Sequence, residues 1–280
     1  MKNFAQKTIV ITGAGSGIGR ELALQFAERG AVLALNDWKA EPLAETWEML
    51  PEAARGYKAA FDVGDRERVE QFAVAVRKAL GRVDVVINNA GMSLPPNPVI
   101  YSEVEEYERV LQVNLWGVIY GSLAFLPHLR EREKGCLVNI SSVFGLMGFP
   151  GTAPYNVSKF GVRGFTETLR VEMGGTGLQV VCVHPGGIKT NIARNVEFAD
   201  EKEKERFIRN FDKTTPTTAA QAARTIIRGI EAGKSRVTIG GDARFIDRIT
   251  RLMPASYERI LARWLKPDRF LQKKNVAADG

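Results

Sequence analysis

The stretch "TAPYNVSKFG", Thr152 to Gly161, sets a tyrosine and a lysine four residues apart in a segment that reads as the start of a helix. Residues i and i+4 share a helical face, so the Tyr155 phenol and the Lys159 ammonium can lie side by side. Two readings fit that pair. In one, an aromatic ring packs at a helix entry and the lysine one turn later is solvated. In the other, the tyrosine carries a proton that its surroundings have made easy to remove.

A second candidate is "TGAGSGIG", Thr12 to Gly19. It departs from G-x-G-x-x-G, because counting from Gly13 or Gly15 puts Ile18 or Arg20 where the third glycine belongs. Its crowded glycines still let backbone N–H groups and a helix N-terminus approach a pyrophosphate closely. The plain alternative is a tight strand-to-helix connection. Position separates the two: the turn follows the first strand, and Asp37 closes the second about twenty residues later. A carboxylate there can accept both hydroxyl hydrogens of an adenosine ribose and repels a 2′-phosphate, which favours NAD over NADP. Lys39, two residues on, softens that repulsion.

The elements that must hold these residues alternate along the chain. Short Val/Ile-rich runs ("KTIVIT", "AVLALND", "YKAAFDV", "VDVVINN", "GCLVNIS", "LQVVCVHP", "SRVTIG") are separated by segments of helical period. Such alternation implies a doubly wound α/β fold, a parallel sheet of about seven strands with helices on both faces. Ligands then bind beyond the carboxyl ends of the strands. The Pro/Gly-rich "GMSLPPNP" and "GLMGFPGTAP" both follow strands and fall at that edge.

With 280 residues, 45% hydrophobic and 25% charged, the composition is that of a globular chain with one sizeable core and argues against long disorder. Cys136 and Cys182 sit inside apolar runs without CxxC spacing or a histidine cluster, so neither a metal site nor a disulfide framework is expected, and a reducing cytoplasm fits. No signal peptide is expected, and no window is read as reaching the ~18 apolar residues of a membrane span. The net charge of +7 is uneven: after Asp242 there are nine Lys/Arg against four Asp/Glu, so the basicity says little about the main body.

Taken together, these motifs resemble the short-chain dehydrogenase/reductase family from about Lys7 to Ile239. They are "TGAGSGIG", "NNAG" (Asn88 to Gly91), Asn114 in "VNLWG", Ser142 in "NISSVFG", "YNVSK" with Tyr155 and Lys159, and "PGGIKT" (Pro185 to Thr190). The family spacing of thirteen residues before the tyrosine selects Ser142 over Ser141, leaving Ser141 to the strand end. The resemblance implies a catalytic set of Asn114, Ser142, Tyr155 and Lys159. A free phenol titrates near ~10, and a nearby cation favours the phenolate. Lys159, helped by the positive charge of an oxidised nicotinamide, would let Tyr155 remove an alcohol proton or return one to a carbonyl while hydride moves. Ser142 would stabilise the substrate oxygen, Asn114 would anchor a proton-relay water, and Lys159 would hold the nicotinamide ribose.

By the same resemblance, Gly13, Gly15, Ser16, Gly17, Ile18 and Gly19 would hold the pyrophosphate side, and Asp37 the adenosine ribose. Asp62 and Val63 would flank the adenine, and Asn88, Ala90 and Gly91 would line the cofactor wall. Pro185, Gly186, Ile188 and Thr190 would meet the nicotinamide end, together with Tyr155 and Lys159. Trp38 is read either as covering the adenine edge or as an exposed packing residue. His184 is read as structural, and "DEKEKER" (Asp200 to Arg206) as a solvated helix face in a variable loop over the site.

Substrate contacts are expected from Ser142, Val143, Phe149 and Tyr155, with Ser93, Leu94, Pro95, Leu146, Met147 and Ile192 nearby. The lining is apolar and has no arginine fork for a carboxylate, so a lipophilic alcohol or ketone is the expected substrate. An NADP-dependent reductase of 3-oxoacyl thioesters would share the catalytic set, but Asp37 counts against it. A non-catalytic dinucleotide-binding regulator would lack part of the set. Residues 1–240 are read as the catalytic domain and 241–280 as a basic helical extension. In that extension Phe245, Ile246, Ile249, Leu252 and Met253, then Tyr257, Ile260, Leu261, Trp264 and Leu265, recur at steps of three and four around Pro254. The stripe suits packing beside the cleft or in a dimer or tetramer, with peripheral membrane contact as the alternative and nucleic acid disfavoured.

Overall fold

Val and Ile runs favour the extended chain, and a strand covered on both faces needs no polar alternation. A computed structural model of the chain, which describes residues 1, 3–198 and 200–260, places all seven such runs in one parallel sheet. Its strands are β1 (Thr8–Thr12), β2 (Val32–Asp37), β3 (Arg55–Ala60), β4 (Val85–Asn88), β5 (Cys136–Ile140), β6 (Gln179–Pro185) and, last in the sheet, Arg236–Ile239. Two short strands that the sequence pattern does not announce, β7 (Ile188–Lys189) and β8 (Thr217–Thr218), pair with each other beyond the sheet, so Arg236–Ile239 is β9. The sheet order is β3-β2-β1-β4-β5-β6-β9. The strands stay parallel throughout, but the order in which successive strands are added reverses between β1 and β4, so the loops after those strands diverge to leave a crevice.

Helices α1 (Gly17–Ala27), α2 (Ala40–Glu48), α3 (Arg66–Leu80), α4 (Val104–Leu111), α5 (Gly117–Arg130), α6 (Ala153–Glu172), α7 (Glu201–Thr214), α8 (Ala219–Glu231) and α9 (Gly241–Leu252) connect and follow the strands. One core layer packs Leu22, Phe26, Leu43, Ile226 and Ile230 of α1, α2 and α8 against Ile9, Ile11, Leu33 and Val183 of the sheet. The opposite layer packs Val69, Phe72, Phe125, Leu129 and Leu169 of α3, α5 and α6 against Val10, Val86, Leu137 and Val180. Alternate strand residues thus feed opposite cores, as a two-sided sheet requires.

Helix α6 illustrates how the pattern aims a side chain. Pro154 sits in the first turn, where its missing N–H costs nothing. Pro154, Ser158, Val162, Thr166 and Leu169 then recur at steps of four and three and are all buried. Helices α4 and α5 form one rod, because Gln112–Trp116 continues the helix as a π-turn. The rod Val104–Arg130 is 27 residues long and by length and composition could cross a membrane, which corrects the expectation that no segment reaches that length. Here Val118, Gly121, Ser122, Phe125 and Leu129 are buried, and Phe125 and Leu129 join the α3, α5 and α6 core layer.

Helix α9 follows β9 directly. It buries Ala243, half-buries Ile246 and Ile249, and leaves Phe245 and Leu252 exposed. Arg236 of β9 bonds Asp247 of α9 at 2.6 Å and Glu167 of α6 at 3.4 Å, so an ion-pair chain docks the helix on the sheet. A further helical segment covers 257–260. Leu261, Trp264 and Leu265 lie outside the described residues.

Candidate active site

The glycine turn runs between β1 and the N-terminus of α1. A Cβ added at Gly19 would stand 2.0 Å from the Gly13 carbonyl oxygen, so only glycine lets the helix start so close to the turn. Asp37 closes β2 against the same turn: Oδ2 accepts the Gly15 N–H at 2.8 Å and Oδ1 accepts the Lys39 N–H at 3.0 Å. Thr190 stands across from Gly17, and the two border a cavity of about 440 Å³ with Lys189, Asn191, Arg194 and Asp212. Ser16 precedes the first helical residue and Ile18 is partly buried on the core. Trp38 is exposed, with the Lys39 ammonium over its ring.

Val63 is buried and leaves no room for a side chain at Gly117, while Asp62 is exposed and caps its own turn through the Gly64 N–H. The Asn88 amide points inward. It donates to Asn139 Oδ1 at 2.9 Å and Ser122 Oγ at 3.1 Å, so its side chain serves the buried strand ends rather than the crevice wall. Its neighbour Asn89, which the sequence pattern passes over, braces the glycine turn through Thr12 O at 2.9 Å and Gly13 O at 3.1 Å. The Ala90 N–H donates to Thr12 Oγ1, and Gly91 faces both Asn114 and Lys159.

The four catalytic candidates converge beyond the ends of β4 and β5. Lys159 is 3% exposed, which removes the reading of a solvated lysine. Its Nζ donates to Ile140 O at 3.1 Å and lies 5.5 Å from the Tyr155 ring centroid. Burial lowers the ammonium to about 8. Tyr155 is half-buried as a residue. Burial of its phenol nevertheless holds it above the ordinary tyrosine range, opposed by a hydrogen bond with Ser142. In the protein alone the proton therefore stays on the phenol at neutral pH.

Ser142 caps the short turn Val143–Gly145, its Oγ accepting the Phe144 N–H at 3.1 Å. Ser141 donates its hydroxyl to the Lys159 carbonyl at 2.8 Å, tying β5 to α6. Asn114 occupies the π-turn, fully buried. Its Oδ1 accepts the Met92 N–H at 2.8 Å, and its Nδ2 donates to Met92 O at 2.9 Å and Ser158 Oγ at 3.2 Å. Single-turn π-bulges of this kind concentrate at functional sites.

Beneath Ser142 lies His184. Its Nδ1 is 3.1 Å from the Ser142 carbonyl oxygen, an acceptor only, so Nδ1 is assigned the proton. Burial, then the nearby Arg236, lowers the imidazole to about 4. The histidine is thus a neutral structural donor.

The substrate side is narrower than its composition implies. Val143, Leu146 and Met147, expected on the lining, fold inward with the turn after Ser142 and are buried. Phe149 stacks on Phe144 at 4.6 Å between ring centroids, and Phe144 stands edge-on to Tyr155 at 6.1 Å, so Phe144 is a wall residue the sequence pattern missed. Ser93, Leu94 and Pro95 border a crevice of about 10 Å³ beside Tyr155, where Asn97 and Glu106 add polar groups to a wall read as apolar. Ile192 lies on the loop after β7 and is half-buried.

The model of the short chain dehydrogenase family matches residues 7–201. The chain belongs to the short-chain dehydrogenase/reductase family. Among relatives of this family, the SadH protein of Mycobacterium tuberculosis is 44% identical over 266 residues, covering 94% of this chain and 96% of its own. Meso-2,3-butanediol dehydrogenase of Serratia marcescens is 37% identical over 189 residues, 68% of this chain and 74% of its own. A short-chain dehydrogenase/reductase from Burkholderia phymatum, solved in complex with NAD, superposes with a TM-score of 0.81 at 28% identity over 90% of this chain and 95% of its own. This short-chain dehydrogenase/reductase is therefore an oxidoreductase with a Rossmann-type nucleotide-binding fold.

Proposed function

We propose that the protein transfers hydride between NAD(H) and a lipophilic alcohol or ketone, with Tyr155 as general acid and base. The observation that carries the reading is the buried Lys159 beside Tyr155 and Ser142 at the carboxyl ends of the strands. The glycine turn fits a dinucleotide: its Cβ-free surface, the Asp37 carboxylate at Gly15 and the cavity beside Gly17 and Thr190 supply room, ribose acceptors and backbone donors. The complex of the Burkholderia relative with NAD and the alcohol named for the Serratia relative support hydride transfer between NAD(H) and an alcohol, without bearing on its lipophilic character.

When bound, the nicotinamide supplies the hydride acceptor or donor. Residues of the chain do the rest. Asp37 holds the adenosine ribose and disfavours a 2′-phosphate. Lys159 holds the nicotinamide ribose and keeps positive charge near the Tyr155 oxygen. Ser142 donates to the substrate oxygen as charge develops there. Tyr155 takes the hydroxyl proton during oxidation and returns it to the carbonyl oxygen during reduction. Asn114, locked to Met92 and Ser158 by its side chain, fixes the π-turn and would help anchor a proton-relay water.

The test is a screen of alcohols and ketones with each nicotinamide cofactor, read by absorbance of the reduced form. Turnover of apolar substrates with NAD(H) supports the reading; activity confined to NADP(H) and acyl thioesters would replace it with the reductase alternative. We also infer a homo-oligomer, supported by exposed Trp116 and Leu123 on the α4–α5 rod and Val157 and Phe160 on α6. Light scattering that gives a monomer mass would reject it.

A further inference from the structure

We propose that Asp242, in the first turn of α9, is a positioning residue for the loop from Pro185 to Thr190. Its carboxylate reaches from the β9–α9 junction to that loop, where Oδ2 accepts the Gly187 N–H at 2.7 Å. The preceding amide, Gly186 N–H, donates to Ile239 O at 2.9 Å. Two successive amides of the loop are therefore held by one junction, and only the second depends on a side chain.

The same carboxylate accounts for a glycine. A Cβ added at Gly186 would stand 2.2 Å from Asp242 Oδ2, closer than real Cβ contacts come. Gly186 is absent from the positions with positive φ, whereas Gly240, where an added Cβ would also meet the carboxylate, has φ of 100°. Gly240 is thus favoured by its backbone as well, whereas at Gly186 the three atoms nearest to an added Cβ all belong to the Asp242 carboxylate. Asp242 lies beyond residues 7–201 matched by the family model, so a segment outside that match shapes the site.

The inference rests on the reading that this loop meets the nicotinamide. Asp242 then acts through Gly187 on the end of the site where hydride moves, and leaves the adenosine end alone. Its outer face is exposed, so the bond is worth less than a buried one.

ADP-ribose, which lacks only the nicotinamide ring, separates the two ends. By titration calorimetry Asp242→Ala is expected to weaken NADH about tenfold, the scale of one charge-assisted hydrogen bond, and to leave ADP-ribose within about twofold. Asp242→Asn keeps an acceptor oxygen and should recover most of the loss. Gly186→Ala should harm NADH binding less in the Asp242→Ala background than alone, because the space is then open. Unchanged NADH affinity in Asp242→Ala, or equal weakening of both ligands without rescue by asparagine, would overturn the inference. If the unaltered protein bound neither ligand, the dinucleotide reading would fail instead. Hydrogen exchange at the Gly187 amide in the cofactor-free protein would then decide on Asp242: protection lost in the alanine and kept in the asparagine variant supports it, and equal protection in all three overturns it.

Discussion

Acidifying the protein from about pH 7 to about pH 4 should cost it about 3 kcal/mol of stability through one side chain, His184. The imidazole is completely buried, donates Nδ1 to Ser142 O, and has a second nitrogen, Nε2, with no partner among the described residues. Burial and Arg236, with Arg163 adding to them, lower it to about 4, and the hydrogen bond to the Ser142 carbonyl, with Asp247, only partly opposes them. Unfolded, it titrates near ~6.5. Between those values the unfolded chain binds the extra proton, so stability is full above about pH 6.5, falls as pH drops, and levels off below about 4. The gap of about 2.5 pKa units at about 1.4 kcal/mol each gives the stated cost once partial titration at the lower limit is included. Asp84, held below its ordinary range by Arg82 and the Thr8 N–H although burial opposes them, stays ionised through most of that window. The assay is denaturant unfolding at several pH values on the natural protein and His184→Asn, whose amide can keep the bond to Ser142 without titrating. The asparagine variant should show the shallower pH dependence, by up to about 3 kcal/mol across the window. Parallel curves for the two proteins would refute the reasoning.

Asp37→Ser should weaken NAD and relatively improve NADP, because it removes both a ribose acceptor and a charge facing the 2′ position; an unchanged ratio of kcat/KM values would place the selection elsewhere. Gly19→Ala must push the start of α1 away from Gly13 O, and should cost about 1–3 kcal/mol in melting experiments while lowering NAD affinity in calorimetry; native stability and affinity would show that the turn yields freely.

The sheet was legible because strands buried on both faces announce themselves as Val/Ile runs between helical periods, as in "KTIVIT" and "LQVVCVHP". Tyr155 and Lys159 were legible because helical spacing puts them on one face, and burial of Lys159 then removes the reading in which the lysine is solvated. Asn88 was misleading: next to Asn89 in sequence, it points the opposite way, since successive residues at a strand end alternate faces. The inward turn of Val143, Leu146 and Met147 depends on how the loop folds over α6, which apolar composition alone does not encode. The π-turn at Asn114 has no glycine or proline to mark it, and the Asp242 bond joins residues 55 positions apart, with no local pattern to signal it.

Tyr155→Phe keeps the ring that packs edge-on to Phe144 and removes only the hydroxyl proposed to exchange the proton. The decisive measurement is turnover of an identified alcohol by this variant, with NADH binding followed in parallel by calorimetry. The expected result is near-normal NADH affinity with turnover reduced at least ~100-fold, the usual scale of general acid–base catalysis. A phenylalanine variant that binds NADH and turns over at the full rate would contradict the assignment of Tyr155 as the proton-transferring group.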